Sequence, residues 1–129
     1  MAFIPYSYDC GQMPPAEYAS LASAGDITVG LCMALGENGA ALSVKPDHIC
    51  LREEKNAAAD TLIPLMHIGE GIVFEAPLAA DAAALVPGSV CDVAADGLSI
   101  AATSANGNII IVSMDGNKAG DLCRCRFLG

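Results

Sequence analysis

The stretch that decides the fold is Gly30-Leu31-Cys32-Met33-Ala34-Leu35, followed by Asn38-Gly39 and then Leu42-Ser43-Val44. The same cadence returns at Gly88-Ser89-Val90-Cys91-Asp92-Val93, then Asp96-Gly97, then Leu98-Ser99-Ile100. In both copies nine positions separate the opening glycine from the turn glycine (30 to 39 and 88 to 97). A half copy follows at Gly120-Asp121-Leu122-Cys123-Arg124-Cys125-Arg126-Phe127. Asn-Gly and Asp-Gly between apolar runs are strong hairpin signals, because tight primed turns need positive φ at their central residues. An internal repeat and the coincidence of common hairpin chemistry both account for the pattern at this level.

Working outward, strands are predicted near residues 27–35, 41–45, 48–53, 61–68, 71–76, 89–95, 98–103, 108–114 and 121–127. Hairpin turns are expected at Asn38-Gly39, Asp96-Gly97 and Asp115-Gly116. Lys55 to Asp60 reads as a polar connection, and Pro77 to Val86 as an alanine-rich loop. Short strands at regular spacing with glycine turns indicate a sandwich or barrel, not a parallel α/β sheet. Residues 1–14 read as an extended arm, in which Pro5, Pro14 and Pro15 resist helix and central-strand geometry. Pro15 suits the first turn of a short helix through Glu17, Tyr18 and Leu21, closed near Gly25. The expected architecture is thus all-β: an arm over 1–14, then a single domain over 15–129. That domain has barrel or clip-like sheet packing and one short N-terminal helix.

The chain has 129 residues, 53% of them hydrophobic but only 5% aromatic, so Ile, Leu, Val and Met must supply the core. Its formal net charge is −9. That excludes a phosphate-binding surface as the leading expectation, since nucleic-acid affinity comes mainly from Lys and Arg. Residues 1–14 lack a basic start and a continuous apolar stretch, and no run approaches a membrane span. A reducing cytoplasm is expected. The six cysteines, Cys10, Cys32, Cys50, Cys91, Cys123 and Cys125, then read as free thiols acting as small hydrophobes.

His48-x-Cys50 and Cys123-x-Cys125 are the best metal candidate, because residues two apart on a strand face the same way and two such pairs can close a tetrahedral site. The two-residue spacer of a zinc knuckle is absent, and packing of Cys123 and Cys125 into an apolar core is the stronger expectation. His67, in Leu65-Met66-His67-Ile68, reads as a satisfied or surface histidine; nothing marks out a cysteine–histidine catalytic pair. Glu70 and Glu75 flank a strand, and an acid/base pair there is weighed against solvated strand ends. Gly69-Glu70-Gly71 is not a phosphate loop, having neither a following helix nor a lysine. Arg52-Glu53-Glu54-Lys55 reads as a solvent-facing charge cluster. Arg124 and Arg126 share one face of the last strand, either as a surface ion-pair ladder or as a contact to an acidic neighbour or subunit.

Pro77-Leu78, Val86-Pro87-Gly88-Ser89-Val90, Asp96-Gly97-Leu98, Thr103, Asn108-Ile109-Ile110-Ile111-Val112, Ala119-Gly120-Asp121-Leu122 and Arg124-Cys125-Arg126-Phe127 together form a recognisable cadence. It resembles the small head-decoration or capsid-stabilising proteins of tailed phages and prophages. The resemblance implies a compact, non-enzymatic β domain that assembles as a homotrimer on the major capsid protein, in the virion or the host cytoplasm. No catalytic residues and no cofactor are carried over. Within that reading the expected partner contacts are Phe3, Ile4, Tyr6, Tyr8, Arg124 and Arg126. The alternative is a small-ligand or metal-binding β-barrel using His48, Cys50, Cys123 and Cys125; an enzyme with a cysteine nucleophile ranks last.

Overall fold

A computed structural model describes residues 2–8, 13–69 and 71–128. All its regular elements are strands. In the N-terminal half they are β1 (Ile4–Tyr8), β2 (Glu17–Ser20), β3 (Gly25–Ile27), β4 (Cys32–Gly36), β5 (Gly39–Leu42), β6 (His48–Cys50), β7 (Glu54–Ala57) and β8 (Leu62–His67). Then follow β9 (Ile72–Pro77), β10 (Val90–Val93), β11 (Ile100–Ala101), β12 (Ile109–Met114) and β13 (Leu122–Phe127). They form a six-stranded sheet in the order β1-β9-β13-β12-β10-β11, a five-stranded sheet in the order β2-β8-β6-β4-β5, and a small β3-β7 pair.

Set aside β1 and the β3-β7 pair, and the two large sheets are one antiparallel diagram drawn twice: β2-β8-β6-β4-β5 and β9-β13-β12-β10-β11. The register repeats as well. His48↔His67, Ile49↔Met66 and Cys50↔Leu65 in the first sheet match Ile109↔Phe127, Ile110↔Arg126 and Ile111↔Cys125 in the second. Cys32↔Ile49 matches Val90↔Ile110, and Glu17↔Leu65 matches Phe74↔Cys125. Even the single bridges that bring one end strand back towards the other correspond, Leu21↔Ala40 and Leu78↔Ile100. The repeated sequence cadence is therefore a duplicated structural unit and not a coincidence of turn chemistry.

Two turns set up each unit. Leu31, Thr61, Ser89 and Asp121 donate backbone N–H bonds to the carbonyls of Thr28, Ala58, Val86 and Lys118, at 3.1, 3.2, 3.0 and 3.0 Å. The third turn residue has positive φ in every case: Gly30 at 90°, Asp60 at 68°, Gly88 at 93° and Gly120 at 86°. That combination defines a type II turn, which needs glycine or a tolerant Asp/Asn there. Each turn feeds a strand two residues later, namely β4, β8, β10 and β13.

The five-stranded sheet is buried on both faces. Cys32, Ile49 and Met66, neighbours across β4, β6 and β8, join a core cluster with Phe3, Phe74, Cys91, Ile109, Ile111, Cys123 and Cys125. Met33, Cys50, Ile63 and Leu65 face the other way, into a second cluster closed by Leu21, Ile27 and Ala57. The six-stranded sheet gives only one face to the core.

Several expectations change. Neither large sheet closes into a barrel: both keep free edges. The short helix after residue 15 is instead strand β2, paired Glu17↔Leu65 to Ser20↔Leu62 with β8. A helix of two turns has little intrinsic stability, and a full antiparallel ladder outweighs it. The polar connection near residue 55 contains β7, paired with β3. At the β12–β13 hairpin the positive-φ glycine is Gly120, not Gly116. Within the expected arm, Ile4–Tyr8 forms β1 and runs antiparallel to β9 at the edge of the six-stranded sheet, while residues 9–12 lie outside the described residues. Pro5 is compatible with that edge position. Phe3, fully buried, gives the strand its hold, with its ring 5.5 Å from Phe127.

Candidate functional site

The candidate metal set does not converge. Cys123 and Cys125 lie in the first core cluster, whereas Cys50 lies in the second and donates its thiol proton to the Arg52 carbonyl at 3.2 Å. Among the described residues no group of three or more His, Cys, Asp or Glu is arranged to hold a metal. Burial drives the thiol chemistry: it pushes Cys32 and Cys125 far above the ordinary thiol range and Cys91 up to about 11, the last with help from Asp92 and Cys123. Burial likewise raises Cys50 and Cys123 against the pull of Arg52 and Arg124. Protonated thiols are poor nucleophiles and poor ligands. The five described cysteines are free and buried, and Cys10 lies outside the described residues.

His48 is buried between two carboxylates. Its Nδ1 is 2.7 Å from Asp47 Oδ1, and its Nε2 is 3.4 Å from Glu17 Oε1. The exposed His67 meets it edge-on with ring centroids 5.1 Å apart, and borders a 270 Å³ cleft with Asp47 and Phe127. Through the duplication, Glu17, His48 and His67 correspond to Phe74, Ile109 and Phe127. Phe74 and Phe127 make an edge-on contact of their own at 5.3 Å. A polar cluster in one unit thus fills the place of an apolar one in the other.

The expected partner contacts divide between two sides of the six-stranded sheet. Ile4 pairs with Glu75, and Glu75 with Arg124, so these three side chains form one row on the outer face. Val90, Ile110 and Arg126 form the next row. Tyr6 joins them, with the Arg124 guanidinium 5.1 Å from its ring centroid. Arg124 Nη1 donates to Asp115 Oδ1 at 2.6 Å, and Nε lies 3.1 Å from Glu75 Oε2. Of the acid pair weighed above, Glu75 therefore serves Arg124, and Glu70 lies outside the described residues. Arg52 pairs with Glu54 at 3.0 Å, half-exposed. Phe3 and Tyr8 are corrected: Phe3 is core, and the half-buried Tyr8 packs against the same cluster. A bulge between Pro5 and Ser7 breaks the period-two alternation and turns Tyr8 away from the face of Ile4 and Tyr6.

Asp92 is the residue that sequence reasoning passed over. Only 4% exposed, it accepts Thr103 Oγ1 at 2.7 Å and the backbone N–H of Ala105, Asn106 and Gly107 at 3.0, 2.9 and 2.8 Å. Burial pushes its pKa up, but the bonds from Thr103, Gly107, Asn106 and Ala105 outweigh that and hold it below the ordinary aspartate value. The available signal was an acid inside an apolar strand ahead of an Asn106-Gly107 loop. Its role is to tie that loop to β10.

Comparison with protein families, characterised proteins and solved structures finds no match for this chain. No helix among the described residues is long and apolar enough to cross a membrane.

Proposed function

We propose that the protein is a non-enzymatic structural component of a tailed-phage or prophage particle, a homo-oligomer that decorates or stabilises the capsid. The trimeric state and the major capsid protein as partner come from the sequence resemblance. One structural observation carries the reading. Four of the six side chains expected to meet a partner, Ile4, Tyr6, Arg124 and Arg126, lie together on the outer face of one sheet. Aromatic and arginine side chains on a flat, partly apolar face suit protein contact. The duplicated β unit gives that face a rigid support. The buried carboxylate of Asp92 serves the fold, and the buried thiols are held protonated.

The test is co-sedimentation with capsid shells assembled from a major capsid protein encoded beside this gene. Saturable binding at a fixed ratio to capsid subunits is expected. Protein left wholly in the supernatant overturns the reading.

A further inference from the structure

We propose that the cleft between Asp47, His67 and Phe127, independently of the role proposed above, binds an alkylammonium group: a cationic amine on an apolar stem.

The duplication offers an internal comparison. The bond from the Ile68 N–H to the Asp47 carbonyl, at 2.9 Å, is repeated by the Leu128 N–H and the Asn108 carbonyl at 2.8 Å. The pair His48↔His67 is likewise repeated by Ile109↔Phe127. Asp47, His48 and His67 therefore stand where the second unit has Asn108, Ile109 and Phe127, none of which ionises. The second unit folds without these groups. Burying an ionisable side chain costs stability where an apolar one would serve, and His48, only 4% exposed, is such a case. Departures of this kind from what a fold needs concentrate at functional sites.

Local charge and shape select the ligand. Two carboxylates, Asp47 and Glu17, meet the single imidazole of His48. With both acids ionised the cluster keeps at least one negative charge, whether or not His48 holds a second proton. The Leu35 N–H and His48 Nδ1 both bond to Asp47 Oδ1, which leaves Oδ2 for a ligand. Asp47 is half-exposed, and with His67 it lines a cleft of 270 Å³ whose other walls include Pro46, Ile68, Phe127 and Leu128. That volume equals about nine waters, room for a group the size of one side chain. One acid in a largely apolar wall suits a cation carried on a hydrocarbon stem. The Phe127 ring adds a surface that attracts cations. Lys45 and Arg126 line two neighbouring clefts that share Phe127 and Leu128, and not this one.

Titration of the full chain, followed through its backbone amide resonances, tests this. The probes are pentylammonium, Nα-acetyl-lysine methylamide and, as the uncharged counterpart, Nα,Nε-diacetyl-lysine methylamide. Saturable shifts confined to amides around the cleft are expected with at least one of the first two and not with the third. Saturation by the lysine derivative makes a protein side chain the source of the amine; saturation by pentylammonium alone makes it a free small amine. Asp47→Asn keeps an acceptor for the Leu35 N–H and removes the charge. It is expected to weaken binding about tenfold, the factor of one charge-assisted hydrogen bond. His67→Ala, at an exposed position, is expected to weaken it less. Glu37→Gln changes an exposed acid outside the cleft and is expected to leave affinity unchanged. Unaltered resonances away from the cleft certify folding, and either cleft variant suffices if the other fails to fold. The proposal is overturned if neither ammonium probe shifts the cleft amides, if the diacetylated probe binds equally well, or if affinity survives the cleft substitutions.

Discussion

Replacing Asp92 by asparagine or alanine tests how much of the β10–β12 connection hangs on one carboxylate. Asp92→Ala leaves one hydroxyl and three N–H donors without their acceptor, on a loop whose Thr103, Ala105 and Asn106 are exposed and can turn to water. An orphaned donor costs about 1–3 kcal/mol when it stays buried, so a loss of about 1–3 kcal/mol in urea unfolding is expected, with Asp92→Asn costing less because one acceptor oxygen survives. Because the folded-state pKa is depressed, the carboxylate's contribution is fully present above the ordinary aspartate value of about 3.9 and fades as pH falls below it. The gap in stability between wild type and Asp92→Asn should therefore narrow from pH 6 to pH 3; a gap independent of pH would falsify the assignment. The thiols run the opposite way. Their folded pKa values are raised, so their contribution holds below the ordinary thiol value of about 8.5 and is lost as pH climbs past it. Cys32, Cys50, Cys91, Cys123 and Cys125 should resist a thiol reagent in native protein and react after denaturation. Fast labelling of any of these five in folded protein contradicts their burial.

At the scale of elements, the equivalent glycines Gly30 and Gly88 make a matched experiment. Both have φ near 90°, so alanine at either carries the left-handed backbone cost of about 1–2 kcal/mol. A Cβ on Gly88 meets nothing within 4 Å, whereas one on Gly30 sits 2.6 Å from Ala2 Cβ and 2.7 Å from the Phe3 carbonyl oxygen. Gly30→Ala should lose more stability than Gly88→Ala and should open residues 1–13 to proteolysis. Equal losses would mean that β1 is not seated on the turn. Phe3→Ala should cost about 3–5 kcal/mol, the range for emptying a core aromatic position. The β4–β5 and β10–β11 hairpins were legible in place from Asn38-Gly39 and Asp96-Gly97, although Gly36 pairs with Gly39 so that Glu37-Asn38 makes the first loop; the third was expected at Asp115-Gly116, whereas the positive φ lies at Gly120. The four type II turns were not legible as turns: Gly30, Gly88 and Gly120 read only as the start of a repeat, and the turn at Asp60 adopts the same conformation without a glycine. Strands β2 and β7 were not legible, because their conformation is set by distant partners, β8 and β3, and not by their own residues. The sheet face of Arg124 and Arg126 followed from simple alternation, while Tyr8 was misplaced because a bulge cannot be read from period two.

For the whole molecule the deciding quantity is a net charge of −9. Charge repulsion between copies reaches about 30 Å at 0.01 M salt and only about 8 Å at 0.15 M. In the proposed homo-oligomer, a contact through Ile4, Tyr6 and an internally balanced Arg124 gains little from long-range attraction, so screening removes mainly the repulsion. Self-association should therefore tighten as salt rises, the reverse of a contact between opposite charges, which weakens. Sedimentation at low and at physiological ionic strength measures the sign directly. The apparent mass at fixed concentration should increase with salt, and thermal stability should rise with it as repulsion within each chain is relieved. Association that weakens with added salt would place the contact on charged surface elsewhere and remove the sheet face from consideration.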